Sequence, residues 1–320
     1  MQLLTEIGPR LPQKNTPMTQ FVLPPPIATV DAQMPDGAII RLRQHGNPEG
    51  DRILLSHGNG FATNGYYPFW RLLENDFDLI VYDQRNHGEN PFFSSYGHHV
   101  DGFRSDLVHI LNAVDNHFGA KPRSGAFHSV SAVAALAHAV TEAWAWERLV
   151  LFDPPLVPAA GEALHEQAFN SERFMAGWAF NRDHEFDSPD ALADYLKSNK
   201  GMQRWVPGAH DLLARCLLHQ DGDVWRLNCP RELESNVYLS NGFAPIWEHL
   251  PKLHRVRDRL LILTADPDAK DVRYPPLGAK RMAEAFGFNV QGLSGTTHML
   301  QLEQPEACAT LVREFLRQHP

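Results

Sequence analysis

The chain has 320 residues, of which 43% are hydrophobic and 21% charged, enough to bury a large core as one big domain or one domain with an insertion. A formal net charge of -9 argues against nucleic acid or an anionic membrane as a partner. Three scattered cysteines, Cys216, Cys229 and Cys308, suit a reducing compartment better than a disulfide framework.

Residues 1–26 are rich in Pro, Gln and Thr and close on Pro24-Pro25-Pro26, so an extended N-terminal arm is expected there. They lack the charged, apolar and cleavage regions of a signal peptide, and no apolar run is long enough to span a bilayer. The expectation is a soluble cytoplasmic protein. Ile27 to Ala32 and Ala38 to Gln44 read as strands around the turn signal Pro35-Asp36-Gly37, a hairpin. Arg52-Ile53-Leu54-Leu55-Ser56 is a short apolar run typical of a strand buried on both faces. It runs into His57-Gly58-Asn59-Gly60-Phe61, whose glycines allow a sharp turn that presents backbone N–H groups.

Tyr66 to Glu74 reads as helix, and Asp78 to Tyr82 as a buried strand ending in Asp83-Gln84-Arg85-Asn86-His87-Gly88. Between Val100 and Phe118, Phe103, Leu107, Ile110, Leu111 and Val114 recur at helical spacing. The strand-like Arg123 to His128 then gives way at Ser129 to an Ala-rich helix running from Val130 toward Trp146. A serine at a strand–helix seam is the layout of a nucleophile elbow, although serines at helix starts are more often caps. Arg148 to Phe152 is a further strand, stopped by Asp153-Pro154-Pro155.

From about Leu156 to Leu250 the alternation breaks, and Phe169, Phe174, Trp178, Trp205, Trp225 and Trp247 accumulate in a mostly helical pattern. This stretch is expected to be a helical cap, with Ser188-Pro189 opening one helix. Arg259 to Thr264 resumes the strands and leads to Ala265-Asp266-Pro267-Asp268. A helix over Pro276 to Phe286, a strand over Phe288 to Leu293, the loop Gly295-Thr296-Thr297-His298 and a closing helix over Pro305 to Arg317 complete the chain. The fold class is α/β: a mostly parallel, doubly wound sheet with a helical cap insertion. The core is expected over 27–155 and 251–320, and the cap over 156–250.

In such sheets ligands bind beyond the carboxyl ends of the strands. Four candidate groups gather at that edge: 57–61, Ser129, the pair Asp266/Asp268, and His298. A serine hydroxyl needs a base, imidazole suits neutral pH, a carboxylate fixes the imidazole's tautomer, and fixed N–H donors meet the developing oxyanion. The chain order Ser, acid, His is that of nucleophile-elbow folds. Seventeen histidines include no H-E-x-x-H pattern, so no metal and no cofactor is expected. His57 and His87 read as loop braces, Asp83 and Arg85 as a structural loop contact, and His128 as a residue packed behind the elbow.

These motifs resemble the α/β-hydrolase fold, in its capped serine hydrolase form, over nearly everything from residue 27 onward. The likeness rests on HGNGF (57–61), DQRNHG (83–88), HSVSA (128–132), LLILTADPD (260–268) and GTTHMLQLEQP (295–305). It implies Ser129 as nucleophile, His298 as base, Asp268 as acid and an oxyanion hole from the N–H groups of Asn59 and Val130. Asp266 is the second choice of acid. Asp153 is a third, because some members carry the acid after the preceding strand. Neither glycine of G-x-S-x-G is present: Phe127 and Ser131 stand there, so the Phe127 side chain must point away from the turn. Ser131 as nucleophile is the one-step alternative. The resemblance further implies an esterase or lipase-like activity on a small to medium, largely apolar carboxylic ester. Carbon–carbon bond, thioester or lactone hydrolysis and a non-catalytic binder are the other readings. The expected partner is the small-molecule ester, with no nucleic acid and no membrane span, in a monomer or homodimer.

Overall fold

The computed structural model describes residues 21–269 and 274–318. Of the arm expected over 1–26, residues 1–20 lie outside that range. In chain order the elements up to the break are β1 (Ala28–Gln33), β2 (Ile39–Gly46), β3 (Asp51–Ser56), α1 (Tyr67–Trp70), β4 (Phe77–Tyr82), α2 (Val100–Phe118), β5 (Arg123–His128), α3 (Val130–Thr141) and β6 (Leu149–Phe152). The interposed segment carries α4 (His165–Asn181), β7 (Glu185–Phe186), α5 (Pro189–Ser198), α6 (Ala209–Leu217), β8 (Leu218–Asp221), β9 (Val224–Leu227) and α7 (Arg231–Asn241). A 3-10 stretch, Trp247–Arg259, returns the chain to β10 (Leu260–Ala265), α8 (Tyr274–Phe286), β11 (Asn289–Leu293), α9 (Leu300–Glu303) and α10 (Pro305–Leu316).

Eight strands form one sheet in the order β1-β2-β4-β3-β5-β6-β10-β11. The hairpin β1–β2 pairs Ala28 with Gln44 and Gln33 with Ile39 and forms an antiparallel edge, and everything from β4 onward is parallel. Parallel strands need crossovers, and their helices cover both faces, so β4, β6 and β10 are buried along their whole length. Each fully buried Leu, Ile or Val there contributes roughly 1.5–3 kcal/mol of transfer free energy. One face packs Phe103, Ile110, Phe127 and Trp146 with α2 and α3, and the other packs Phe69, Trp70, Phe152 and Phe315 with α1 and α10. Helix α3 is buried from Val130 to Val140, which its alanines permit by keeping the backbone close to its neighbours.

Local signals explain most boundaries. Helix α2 starts where the His99 ring accepts the Gly102 N–H at 3.1 Å and ends at Gly119, whose φ is 81°. Helix α5 opens on Ser188, which accepts the Ala191 N–H at 3.2 Å, with Pro189 in its first turn. Two expectations are corrected. The helix expected over Tyr66 to Glu74 is shorter, a 3-10 turn and one α-turn ending at Trp70. The interposed segment is not purely helical: β7, β9 and β8 make a small antiparallel sheet, too short for its alternation to stand out from the helical pattern.

Candidate active site

Four loops meet at the carboxyl ends of the parallel strands: those after β3, β5, β6 and β11. Ser129 occupies the single residue between β5 and α3, at φ 54° and ψ −118°. A non-glycine residue there costs of order 1–3 kcal/mol and persists only where its surroundings hold it. Here its N–H donates to Phe152 O at 2.9 Å, extending the β5–β6 ladder, and its C=O accepts the Val133 N–H at 3.0 Å, starting the helix. Its side chain makes no capping hydrogen bond, which removes the bland reading of this serine. Instead Ser129 Oγ lies 3.0 Å from His298 Nε2.

The bulk of Phe127 is accommodated by the strand itself. Its ring is fully buried against Tyr82 and Trp146, on the sheet face that α2 and α3 cover. Gly125, two residues earlier on the same face, leaves the space: a Cβ there would stand 2.5 Å from the Phe127 ring. The Ser131 hydroxyl donates to His128 O at 2.8 Å and accepts the His128 N–H at 3.0 Å, closing the elbow rather than facing His298.

His298 Nδ1 lies 2.7 Å from Asp153 Oδ2. Asp153 leaves β6 at φ 46°, is 1% exposed, and donates its N–H to Leu263 O at 2.8 Å, while Pro154 ends any further pairing. Its second oxygen accepts the Thr264 hydroxyl. The carboxylate can only accept, so His298 carries its proton on Nδ1 and offers Nε2 to the serine. The histidine loop is tied by Glu303, whose carboxylate accepts the Thr297 N–H at 2.6 Å and the Thr297 hydroxyl.

The acid expected at Asp268 is therefore corrected. Asp268 is 75% exposed, pairs with Lys280 Nζ at 2.7 Å and does not contact His298. Asp266 accepts the Asp268 N–H at 2.9 Å and lies 3.4 Å from the Ser294 hydroxyl. From Ala265 to Ala269 the chain passes from buried to exposed. The acid that meets the histidine is Asp153, marked in the sequence only by its place at a strand end before two prolines.

Gly58 brings the loop after β3 onto the elbow: a Cβ there would stand 3.1 Å from Ser129 Cβ and 2.9 Å from His128 Nδ1. Among the described residues the Asn59 N–H, in the turn after β3, has no hydrogen-bond partner, and the Val130 N–H, on the first residue of α3, has none outside that helix. Behind them runs a chain of hydrogen bonds. His128 Nε2 lies 2.8 Å from His298 O, an acceptor only, so that nitrogen carries the proton. His128 Nδ1 then accepts from the Tyr66 hydroxyl at 2.8 Å, which in turn accepts the Gly58 N–H at 3.3 Å. Burial, with His298 next in effect, holds His128 well below the ordinary imidazole range, so it stays neutral. Tyr66 bridges the two loops, and no sequence pattern marked it.

His57 and His87 brace loops. His57 donates to Gly58 O at 2.7 Å and accepts the Gln84 N–H at 3.0 Å, while His87 donates to Arg85 O at 2.9 Å and accepts the Gly60 N–H at 3.1 Å. Asp83 pairs with Arg43 at 2.9 Å and Arg85 with Asp106 at 2.5 Å, both deep in the structure. His87, His98 and Cys229 place ligand atoms within 4.8 Å of one another, the only such trio found among the described residues. Both His87 nitrogens are already engaged, so the trio has no free His87 lone pair to offer a metal.

A model of the alpha/beta hydrolase family matches residues 53–311. A putative carbamate hydrolase, RutD, of Variovorax paradoxus (strain S110) is 36% identical over 74 residues, 22% of this chain, and the match spans only 26% of that relative. Among solved structures, E-2-(acetamidomethylene)succinate hydrolase superposes with a TM-score of 0.71 at 15% identity, covering 91% of this chain and 99% of that one. The thioesterase domain from the curacin biosynthetic pathway gives 0.68 at 17%, covering 89% and 99%. A thermophilic esterase from Thermogutta terrifontis gives 0.60 at 18%, covering 91% and 97%. These likenesses show the fold, and the family match extends from β3 into α10: the chain belongs to the alpha/beta hydrolase family.

Proposed function

We propose that this hydrolase is a cofactor-free serine esterase working through Ser129, His298 and Asp153. The observation that carries the reading is the single line from Ser129 Oγ through His298, at 3.0 Å, to Asp153, at 2.7 Å. His298 Nε2 takes the serine proton as Oγ bonds to the substrate carbonyl carbon, and the carbonyl π pair moves onto oxygen. The N–H groups of Asn59 and Val130 receive that oxyanion. When the C–O bond to the alcohol breaks, the leaving oxygen takes the proton from His298 and an acyl-serine remains. Water then repeats the sequence, with His298 as base, and frees the acid.

The substrate is a small to medium carboxylic ester with an apolar portion. What supports the apolar portion is Phe61, at the end of the oxyanion loop, whose ring centroid lies 6.3 Å from that of Trp205 in the interposed segment. The same machinery opens thioesters, lactones and activated carbon–carbon bonds, so specificity belongs to the experiment. A chromogenic ester panel of graded acyl length, run beside a thioester and a dienone, is expected to favour esters. A serine-directed phosphonate should label the wild type and not Ser129→Ala, whose ester turnover should fall by about 10⁴-fold or more. An unlabelled wild type, or turnover surviving in Ser129→Ala, removes the proposal.

A further inference from the structure

Gly60 lies under a carboxylate that comes from a distant part of the chain. A Cβ on Gly60 would stand 2.5 Å from Glu234 Oε1 and 3.0 Å from Oε2, so the Glu234 carboxylate lies flat against this part of the oxyanion loop. The main-chain oxygen of Glu234 also accepts the Asn59 side-chain amide at 2.8 Å. Glu234 is 2% exposed, and Arg182, the residue after α4, reaches it with Nη2 2.5 Å from Oε2. Two contacts from α7 thus hold residues 59 and 60, and the second is made by a carboxyl group whose pKa burial raises and the Arg182 guanidinium beside it lowers, so the cation favours its ionised form.

That charge matters because of where it lies. The Asn59 N–H is assigned to the developing oxyanion, and a buried carboxylate one residue away opposes negative charge there unless it is cancelled. We infer that Arg182 and Glu234 are positioning residues for the oxyanion loop: Glu234 fixes the loop by contact, and Arg182 neutralises Glu234 so that the loop can receive an anion. The inference rests on the serine esterase reading. It gives the interposed segment a part in the chemistry.

The expected signature is electrostatic and can be separated from a mere loss of packing. Arg182→Met keeps the stem and removes the cation. It should lower kcat by about 30-fold while changing KM less than threefold, because an oxyanion contact is made mainly in the transition state. Glu234→Gln should lower kcat about three- to fivefold through altered contact with Gly60. The double variant Arg182→Met/Glu234→Gln should regain about tenfold over Arg182→Met alone, since it removes the uncancelled charge. A double variant no faster than Arg182→Met, or Arg182→Met with wild-type kcat, overturns the inference. Should Arg182→Met not fold, the comparison moves to Arg182→Lys, expected within about fivefold of wild type, and to the double variant, expected no slower than about fivefold below Glu234→Gln. Greater losses in both overturn it. Phosphonate labelling of Ser129 separates the two failures. A wild type that does not label defeats the esterase reading, whereas wild type and Arg182→Met labelling at equal rates defeat only the role of the pair.

Discussion

Asp153 and Asp268 stand at the same rim of the sheet, each just beyond a buried parallel strand, in opposite circumstances. Asp153 is 1% exposed, turns out of β6 at φ 46°, and shares its carboxylate between His298 and Thr264. Asp268 is 75% exposed and pairs with Lys280 on α8. The sheet order β5-β6-β10-β11 explains the choice. His298, arriving after β11, must cross the end of β10 to reach Ser129 at β5, and the end of β6 is the last stop before it. A carboxylate there lies behind the imidazole on the line to the serine, while beyond β10 the chain is exposed by Asp268. What decides between the two acids is which strand stands beside the serine's: β6 neighbours β5, and β10 does not.

The comparison can be broken by exchange of single atoms. Asp153→Asn should reduce kcat by about 10⁴-fold with the fold intact, because an amide no longer fixes the histidine tautomer. A loss confined to Asp268→Asn instead would reverse the assignment. Thr264→Val sharpens it: the valine fills the same space and removes only the hydroxyl that Asp153 Oδ1 accepts. Its expected effect is about tenfold on kcat and a loss of about 1–3 kcal/mol in a denaturant titration, the usual cost of orphaning a buried acceptor. Unchanged kinetics would show that His298 alone orients the carboxylate. The smallest effect is expected for Asp268→Asn and Asp266→Asn, each within twofold of wild type in kcat and KM, as surface pairs in solvent usually are.

Much of the α/β-hydrolase fold was legible before any coordinates. The runs at 52–56, 78–82, 148–152 and 259–264 are apolar on both faces, which a half-exposed strand would not be, and the spacing of Phe103, Leu107, Ile110, Leu111 and Val114 marks α2 end to end. Ser129 was legible as a seam between two kinds of pattern, and His298 as a polar residue ending the last strand's loop. The small sheet β7-β9-β8 was not, since a two-residue strand such as Glu185–Phe186 has no period to detect. Nor was Tyr66, whose role depends on a hydroxyl meeting His128 across 62 residues of chain.

By itself, then, the sequence determined which strands are buried, where the chain turns, and that Ser129 and His298 end up on one rim. Those are consequences of local periodicity and of turn chemistry, which neighbouring residues carry among themselves. Only the tertiary structure decided that Asp153 and not Asp268 completes the line, that the Phe127 ring fits because Gly125 makes room, and that Glu234 lies on Gly60. Each of these depends on the direction of a side chain relative to a partner far away in the chain, and spacing along a sequence does not encode direction.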